Sequence, residues 1–232
     1  MTTSSATPRR SKSPTCRRRV RYGADEALPR TLKARSRRSD TTLQRHVSFF
    51  DDNGDRRVDV AECARGLRVL GLPVVAAEAV ALAIVSGLSL RTSGSLLAMN
   101  VDVDQVQKGK HDGDTGILDK GGRFDAGRFK RVFGAGSSVD RNGDRAFTAT
   151  ELTRMINANR ETLAGYVAAT AEWRLLLALA ADTSAVEGGK TVPALSVARL
   201  KSFYDGTLFY QLAKEHARDD GRVRRRIQHA AR

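Results

Sequence analysis

A twelve-residue pattern that occurs twice constrains this chain more than any other feature. Residues 51–62 read DDNGDRRVDVAE and residues 140–151 read DRNGDRAFTATE. Each stretch sets oxygen-bearing side chains at its first, third, fifth and ninth positions, an apolar residue at the eighth (Val58, Phe147) and glutamate at the twelfth. A hard divalent cation needs six to eight oxygens, and a loop of this length can wrap them around it. The first loop offers the side chains of Asp51, Asn53, Asp55 and Asp59, the Arg57 carbonyl and both oxygens of Glu62. The second offers Asp140, Asn142, Asp144, the Ala146 carbonyl, Thr148 and Glu151.

This is the ligand spacing of an EF-hand calcium loop, which requires a helix on either side. The entering stripe of the first is Leu43, His46, Val47 and Phe50, and the exiting stripe is Cys63, Gly66, Leu67 and Leu70. Before the second loop the stripe is Val132, Ala135, Gly136 and Val139, interrupted by glycine and serine; Leu152, Met155 and Ile156 follow it. Both loops carry arginine (Arg56, Arg145) at the sixth position. EF loops usually place glycine there for a left-handed backbone, and a side chain costs about 1 kcal/mol. The expectation is calcium at both loops, tighter at the first, against the alternative of acidic surface turns without an ion. A short β contact near Val58 and Phe147 is expected to pair the two loops.

Charge is uneven along the 232 residues. Residues 1–40 hold twelve Lys/Arg against three acids and residues 213–232 hold seven against three, so the arms carry most of the net +14. The first arm, rich in Ser, Thr, Pro and Arg, cannot bury a core and is expected to be disordered. It has the composition of a transit peptide, and a polybasic arm also suits an anionic membrane. Without interleaved aromatics, specific nucleic-acid recognition is not expected. Two cysteines, Cys16 and Cys63, make no disulfide framework. Residues 67–90 are strongly apolar, and the charge-free run within them is shorter than the roughly 20 residues a bilayer span needs. That segment reads as a buried helix or as one lying in a lipid interface. Residues 150–181 read as two helices broken near 157–160, and residues 195–216 as a helical stretch interrupted at Asp205 and Gly206.

Several further pieces occur in a recognisable order: LQRHVSFFD at 43–51, GLRVLG at 66–71, KHDGDTGILDKGGRF at 110–124, NRETLAGYVAATAEWRLL at 159–176 and FYDGTLF at 203–209. Together they resemble the caleosins, calcium-binding haem peroxygenases, over about residues 41–216. The residues alone leave His46 as a satisfied core histidine and His111 as a surface one. The resemblance implies instead that His46 and His111 bind haem iron and serve catalysis. It implies peroxygenation, in which a hydroperoxide, typically of a fatty acid, is cleaved at ferric haem and its oxygen passed to a lipid or other acceptor. It also implies a lipid-droplet or endoplasmic-reticulum membrane periphery, with organellar targeting or a soluble form as alternatives. The chain departs from the oil-body pattern in having no proline between Pro73 and Pro193, and Gly121 stands where the family has an acid. Phe49, Phe50, Phe124 and Trp173 are the aromatic candidates for a haem pocket.

The expected fold is mostly α. Two EF-hand-type helix–loop–helix units (42–71 and 128–160) are separated by the apolar helical segment and followed by C-terminal helices (161–216). Disordered basic termini (1–40 and 217–232) flank them. The alternative function is a non-enzymatic EF-hand protein, either a calcium sensor with an exposed apolar groove or a structural protein of lipid droplets or membranes.

Overall fold

The computed structural model describes residues 37–109, 115–134, 139–140, 142–159 and 162–230. Of the disorder expected at residues 1–40, residues 1–36 lie outside the described residues, and so does His111; residues 37–40 are described, with Asp40 buried. The disorder expected at 217–232 is not found as far as Ala230, because the basic tail continues the helix that begins at Leu208. The described chain is mostly helical with two small sheets.

The first half builds from α1 (Thr42–Ser48), the 51–62 loop, β1 (Arg57–Asp59), α2 (Val60–Val69) and α3 (Val74–Ser93). Thr41 and Gln44 form a capping box that starts α1, and Asp59 and Glu62 form one that starts α2. The ninth and twelfth positions of the loop thus begin its exit helix as well as offering ligands. The apolar run of 67–90 is broken where α2 ends at Leu70 and Pro73 precedes α3. From there α3 continues for 20 residues, longer than the charge-free run, and stops at Gly94 in the left-handed conformation. By length and composition it could cross a membrane. Small residues at Ala77, Ala81, Val85, Ser89 and Thr92 line its buried face, so that it packs closely on α2, while Val75, Leu82 and Leu90 face outward.

After α3 come β2 (Asn100–Asp102) and a 3-10 helix at Val103–Gly109, then α4 (Ala126–Phe133) and β3 (Ala146–Thr148). Next are α5 (Ala149–Ala158), α6 (Leu163–Ala180), β4 (Thr183–Glu187), β5 (Lys190–Ser196), α7 (Val197–Tyr204) and α8 (Leu208–Ala230). The two acidic loops do not pair with each other. Val58 stands opposite Val101 of β2, and Phe147 opposite Leu195 of β5, both antiparallel. Each loop thus finds a partner strand within its own half of the fold, which avoids closing the long loop between them. Each partner strand also ends in a capped turn: Asp102 accepts from the Asp104 and Gln105 amides, and Ser196 from that of Arg199.

Two buried clusters result. One gathers α2, α3, β2 and the 3-10 helix around Val58, Leu67, Val85 and Val101; the other gathers α4 to α8 around Phe133, Phe147, Leu195 and Leu200. Phe50 and Leu179 pack against both.

Candidate functional site

Between the two clusters lies a cavity of about 310 Å³. Its wall is largely apolar: Leu67, Ile84, Val85 and Leu88 from one side, Leu175, Leu176 and Leu179 from the other, and the rings of Phe50, Trp173, Phe203, Tyr204 and Phe209. The cavity opens to solvent, and its size lies in the range of small-molecule sites.

His46 sits in this wall. Its ring is packed edge-on against Phe203 and Phe209, with centroids 4.8 and 4.3 Å away. The residue keeps some accessible surface, and it borders the cavity. Burial pulls its pKa from 6.5 down to about 4, against a smaller opposing effect of the hydrogen bond to the Phe203 backbone. At neutral pH the imidazole is uncharged, and with one N–H given to that carbonyl the other nitrogen keeps its lone pair. Such a second-sphere bond fixes the tautomer of a metal-binding histidine.

α1 is held firmly. Arg45 Nη1 donates to the Asp205 carbonyl at 3.2 Å, Tyr210 Oη to the Arg45 carbonyl at 3.4 Å, and the Leu43 amide to the Gly122 carbonyl at 3.0 Å. Gly206, with φ +78, lies so near α1 that a Cβ there would stand 2.8 Å from the Thr42 carbonyl. Only glycine allows that turn and that approach.

The other polar groups of the wall are few. Tyr204 Oη and Thr115 Oγ1 share a buried hydrogen bond of 3.1 Å, and the Thr115 carbonyl accepts from Arg128 Nε at 3.0 Å. Gly109 and Thr115 line the cavity and flank the segment that carries His111. Cys63 also lines it; burial pushes its thiol up to about 12, so it stays protonated. Of the aromatic residues expected around a haem, Phe50 and Trp173 line the cavity, whereas Phe49 and Phe124 belong to the packing behind it. Phe203, Tyr204 and Phe209 take their place, from the FYDGTLF piece that the sequence marks without revealing its role. An uncharged imidazole beside flat apolar walls suits a haem. Among the described residues no arginine or lysine lines the cavity, and the one charged residue in its wall is Glu172, so haem propionates would have to project from it.

The 51–62 loop is wrapped on itself. Asp51 accepts the Gly54 amide at 2.8 Å and the Arg56 amide at 3.1 Å; Asn53 Oδ1 takes the Asp55 amide and Asp55 Oδ1 the Arg57 amide, each at 2.8 Å. Asp51 is 2% exposed and Glu62 3%. Glu62 accepts backbone donors from Asp52, Asn53 and Asp59 at 3.0–3.2 Å. Burial raises its pKa, the Asp59 charge adds to the rise, and those donors oppose it. A cation would hold such buried carboxylates ionised, and the donor set is all oxygen, as calcium prefers. Among the described residues, no three His, Cys, Asp or Glu side chains already stand as a finished cation site.

The 140–151 loop differs. Asp140 Oδ1 accepts from the Asn142 and Asp144 amides, and the Asp140 amide donates to the Asp144 carbonyl at 2.7 Å, which closes a tight turn. Arg145 lacks the left-handed backbone that Arg56 adopts at φ 70. Asp140 Oδ2 accepts from Thr183, and both Thr148 and Thr150 donate to Glu187, all from or to the β4 strand. Thr148 and Glu151 are brought together in the capping box of α5. Asp140 is the more exposed end of this loop, whereas its counterpart Asp51 is buried. The β4–β5 hairpin that covers it was missed in the sequence; its signal is the Gly188–Gly189 pair, both at positive φ, between the paired Glu187 and Lys190.

Comparison with known proteins gives a consistent result. The family model described as "Caleosin related protein" matches residues 38–213. The chain is 33% identical over 183 residues to "Probable peroxygenase 4" of Arabidopsis thaliana, covering 77% of this chain and 88% of that protein. It is 29% identical over 204 residues to "Peroxygenase" of Lilium longiflorum, covering 86% and 81%. A "Probable inactive peroxygenase-like protein" of Arabidopsis thaliana is 30% identical over 110 residues, 47% of this chain and 48% of that one. No solved structure matches.

Proposed function

The chain belongs to the caleosin family, and on that premise we propose that it is a calcium-binding haem peroxygenase, moving oxygen from a fatty-acid hydroperoxide to a lipid or other acceptor. The observation that carries this reading is His46, a neutral imidazole set in the wall of a large apolar cavity. Bound haem would supply the peroxide cleavage and oxygen transfer. His46 would hold it through the nitrogen left free by the Phe203 carbonyl, with His111 as the second candidate ligand. The leucines and aromatic rings of the wall would bind the acyl chain and exclude water. The Tyr204–Thr115 pair would anchor the polar end of the cavity.

We read the two halves as paired EF-hand-type units, each with one acidic loop and one partner loop that lacks the ligand set. Calcium sits best at Asp51, Asn53, Asp55, Arg57, Asp59 and Glu62, where the loop is wrapped and its end carboxylates are buried. The site at Asp140, Asn142, Asp144, Ala146, Thr148 and Glu151 is the weaker one.

A second reading is favoured by α3. Val75 is 79% exposed on its outer face, and Leu97 just beyond is 94% exposed. An apolar face of this kind suits a helix lying in a lipid interface, and a protein of lipid droplets or membranes would have it with or without turnover. The two readings separate in one assay. Haem-loaded protein is given a fatty-acid hydroperoxide labelled with ¹⁸O and a sulfide acceptor. Labelled sulfoxide supports the peroxygenase; vesicle binding without labelled product leaves the structural protein.

A further inference from the structure

Arg56 stands where an ion loop of this type usually has glycine, and it keeps the left-handed backbone that glycine would supply, at φ 70. A side chain there is unfavourable, so its presence calls for a compensating contact. Its guanidinium has five N–H donors, and all are engaged. Nη1 and Nη2 grip both oxygens of Asp40, at 3.1 and 3.0 Å; Nη1 also reaches Ser48 Oγ at 3.2 Å. Nε and Nη2 donate to Asp104, in the 3-10 helix that follows β2. Asp40 precedes the cap of α1 and Ser48 is its last residue, so one side chain spans both ends of the helix that carries His46. The Asp40 side chain is 2% exposed. The Arg56 backbone amide, meanwhile, donates to Asp51, the first ligand position.

We propose that Arg56 is a positioning residue that couples the ion loop to α1: a cation on Asp51 fixes the Arg56 backbone, and its guanidinium then fixes the helix that holds His46. The coupling rests on the reading of the 51–62 loop as a calcium site. A lysine could not replace it, because a point charge cannot fork across Asp40 and reach Ser48 and Asp104 together. Arg145, without the left-handed backbone, has no equivalent role.

The test compares wild type, Arg56→Gly, Arg56→Lys and Asp40→Asn. Calcium affinity is measured by calorimetry, and amide hydrogen exchange across α1 is measured with calcium and with chelator. In wild type, calcium slows exchange in α1 by about tenfold, a usual size for coupling between sites. Arg56→Gly and Arg56→Lys still bind calcium, but exchange in α1 no longer responds to it. Asp40→Asn, which leaves the loop itself intact, gives the same loss and serves if the Arg56 variants do not fold. An unchanged α1 response in these variants overturns the proposal, as does calcium binding in wild type without any α1 response. Absence of calcium binding in wild type fails the loop reading first, and the coupling with it; the calorimetry identifies that case.

Discussion

His46 should make this protein's stability depend on pH in a way that one substitution removes. The unfolded chain takes up a proton at this histidine near pH 6.5, but the folded protein resists it until about pH 4. Between those values the unfolded state binds more protons, so stability falls as pH drops from 6.5 to 4 and is unaffected by His46 above that window. At 1.36 kcal/mol for each pH unit of difference, the loss at the bottom of the window is roughly 3 kcal/mol. Glu62, whose pKa burial raises, works in the opposite direction over part of the same range. The comparison must therefore be with a variant, not with a flat line. Urea unfolding of calcium-free, haem-free wild type and His46→Phe at pH 7, 6, 5 and 4.5 gives the two curves. The phenylalanine variant should lose clearly less stability toward pH 4.5, and a histidine NMR titration should find His46 still neutral at pH 5. Parallel curves would show that His46 is solvated and charged like a surface histidine, and the description of the cavity wall would be wrong.

Other expectations can be checked more briefly. Gly66→Ala in α2 should gain about 1 kcal/mol of helix propensity. The new Cβ, however, would meet the Phe50 ring at 2.3 Å, and overpacking costs about 1–3 kcal/mol; the melting temperature should fall, and Phe50→Leu should recover part of it. Calcium at a hundredfold excess over its dissociation constant should stabilise the fold by about 2.7 kcal/mol, raising Tm by roughly 5–10 °C in a thermal melt with and without chelator. Glu62→Gln should weaken the tighter calcium site by more than about tenfold in calorimetry, whereas Asp140→Asn should leave that site unchanged. Replacing Leu82 and Leu97 with aspartate should reduce binding to phospholipid vesicles in a flotation assay without lowering Tm, since both side chains are exposed.

The acidic repeat was the most legible part of the fold, because ligand spacing and capping use the same residues. Asp59 with Glu62 and Thr148 with Glu151 fix where each exit helix starts, and the helices are found there. The break between α5 and α6 and the turn at Asp205 and Gly206 were equally readable from their polar and glycine residues. Strand pairing was not. Val58 and Phe147 look alike in sequence, but their partners Val101 and Leu195 sit in segments with no acidic pattern to mark them. The difference between the two loops was hidden too: Arg56 and Arg145 are the same residue type, and only the contacts with Asp40, Ser48 and Asp104 explain why one adopts the left-handed backbone. The wall around His46 comes from nine separate elements and the loops between them, so its aromatic members could be recognised only in part.

The most direct test of the central claim is the absorbance spectrum of purified protein titrated with ferric haem, beside His46→Ala and Phe203→Ala. A histidine-held haem predicts a saturable Soret band in wild type. That band should be lost or shifted in His46→Ala, and should persist with a smaller shift in Phe203→Ala, because its backbone carbonyl remains. A band identical in wild type and His46→Ala, or none in either, would contradict the assignment of His46 as the ligand in this cavity.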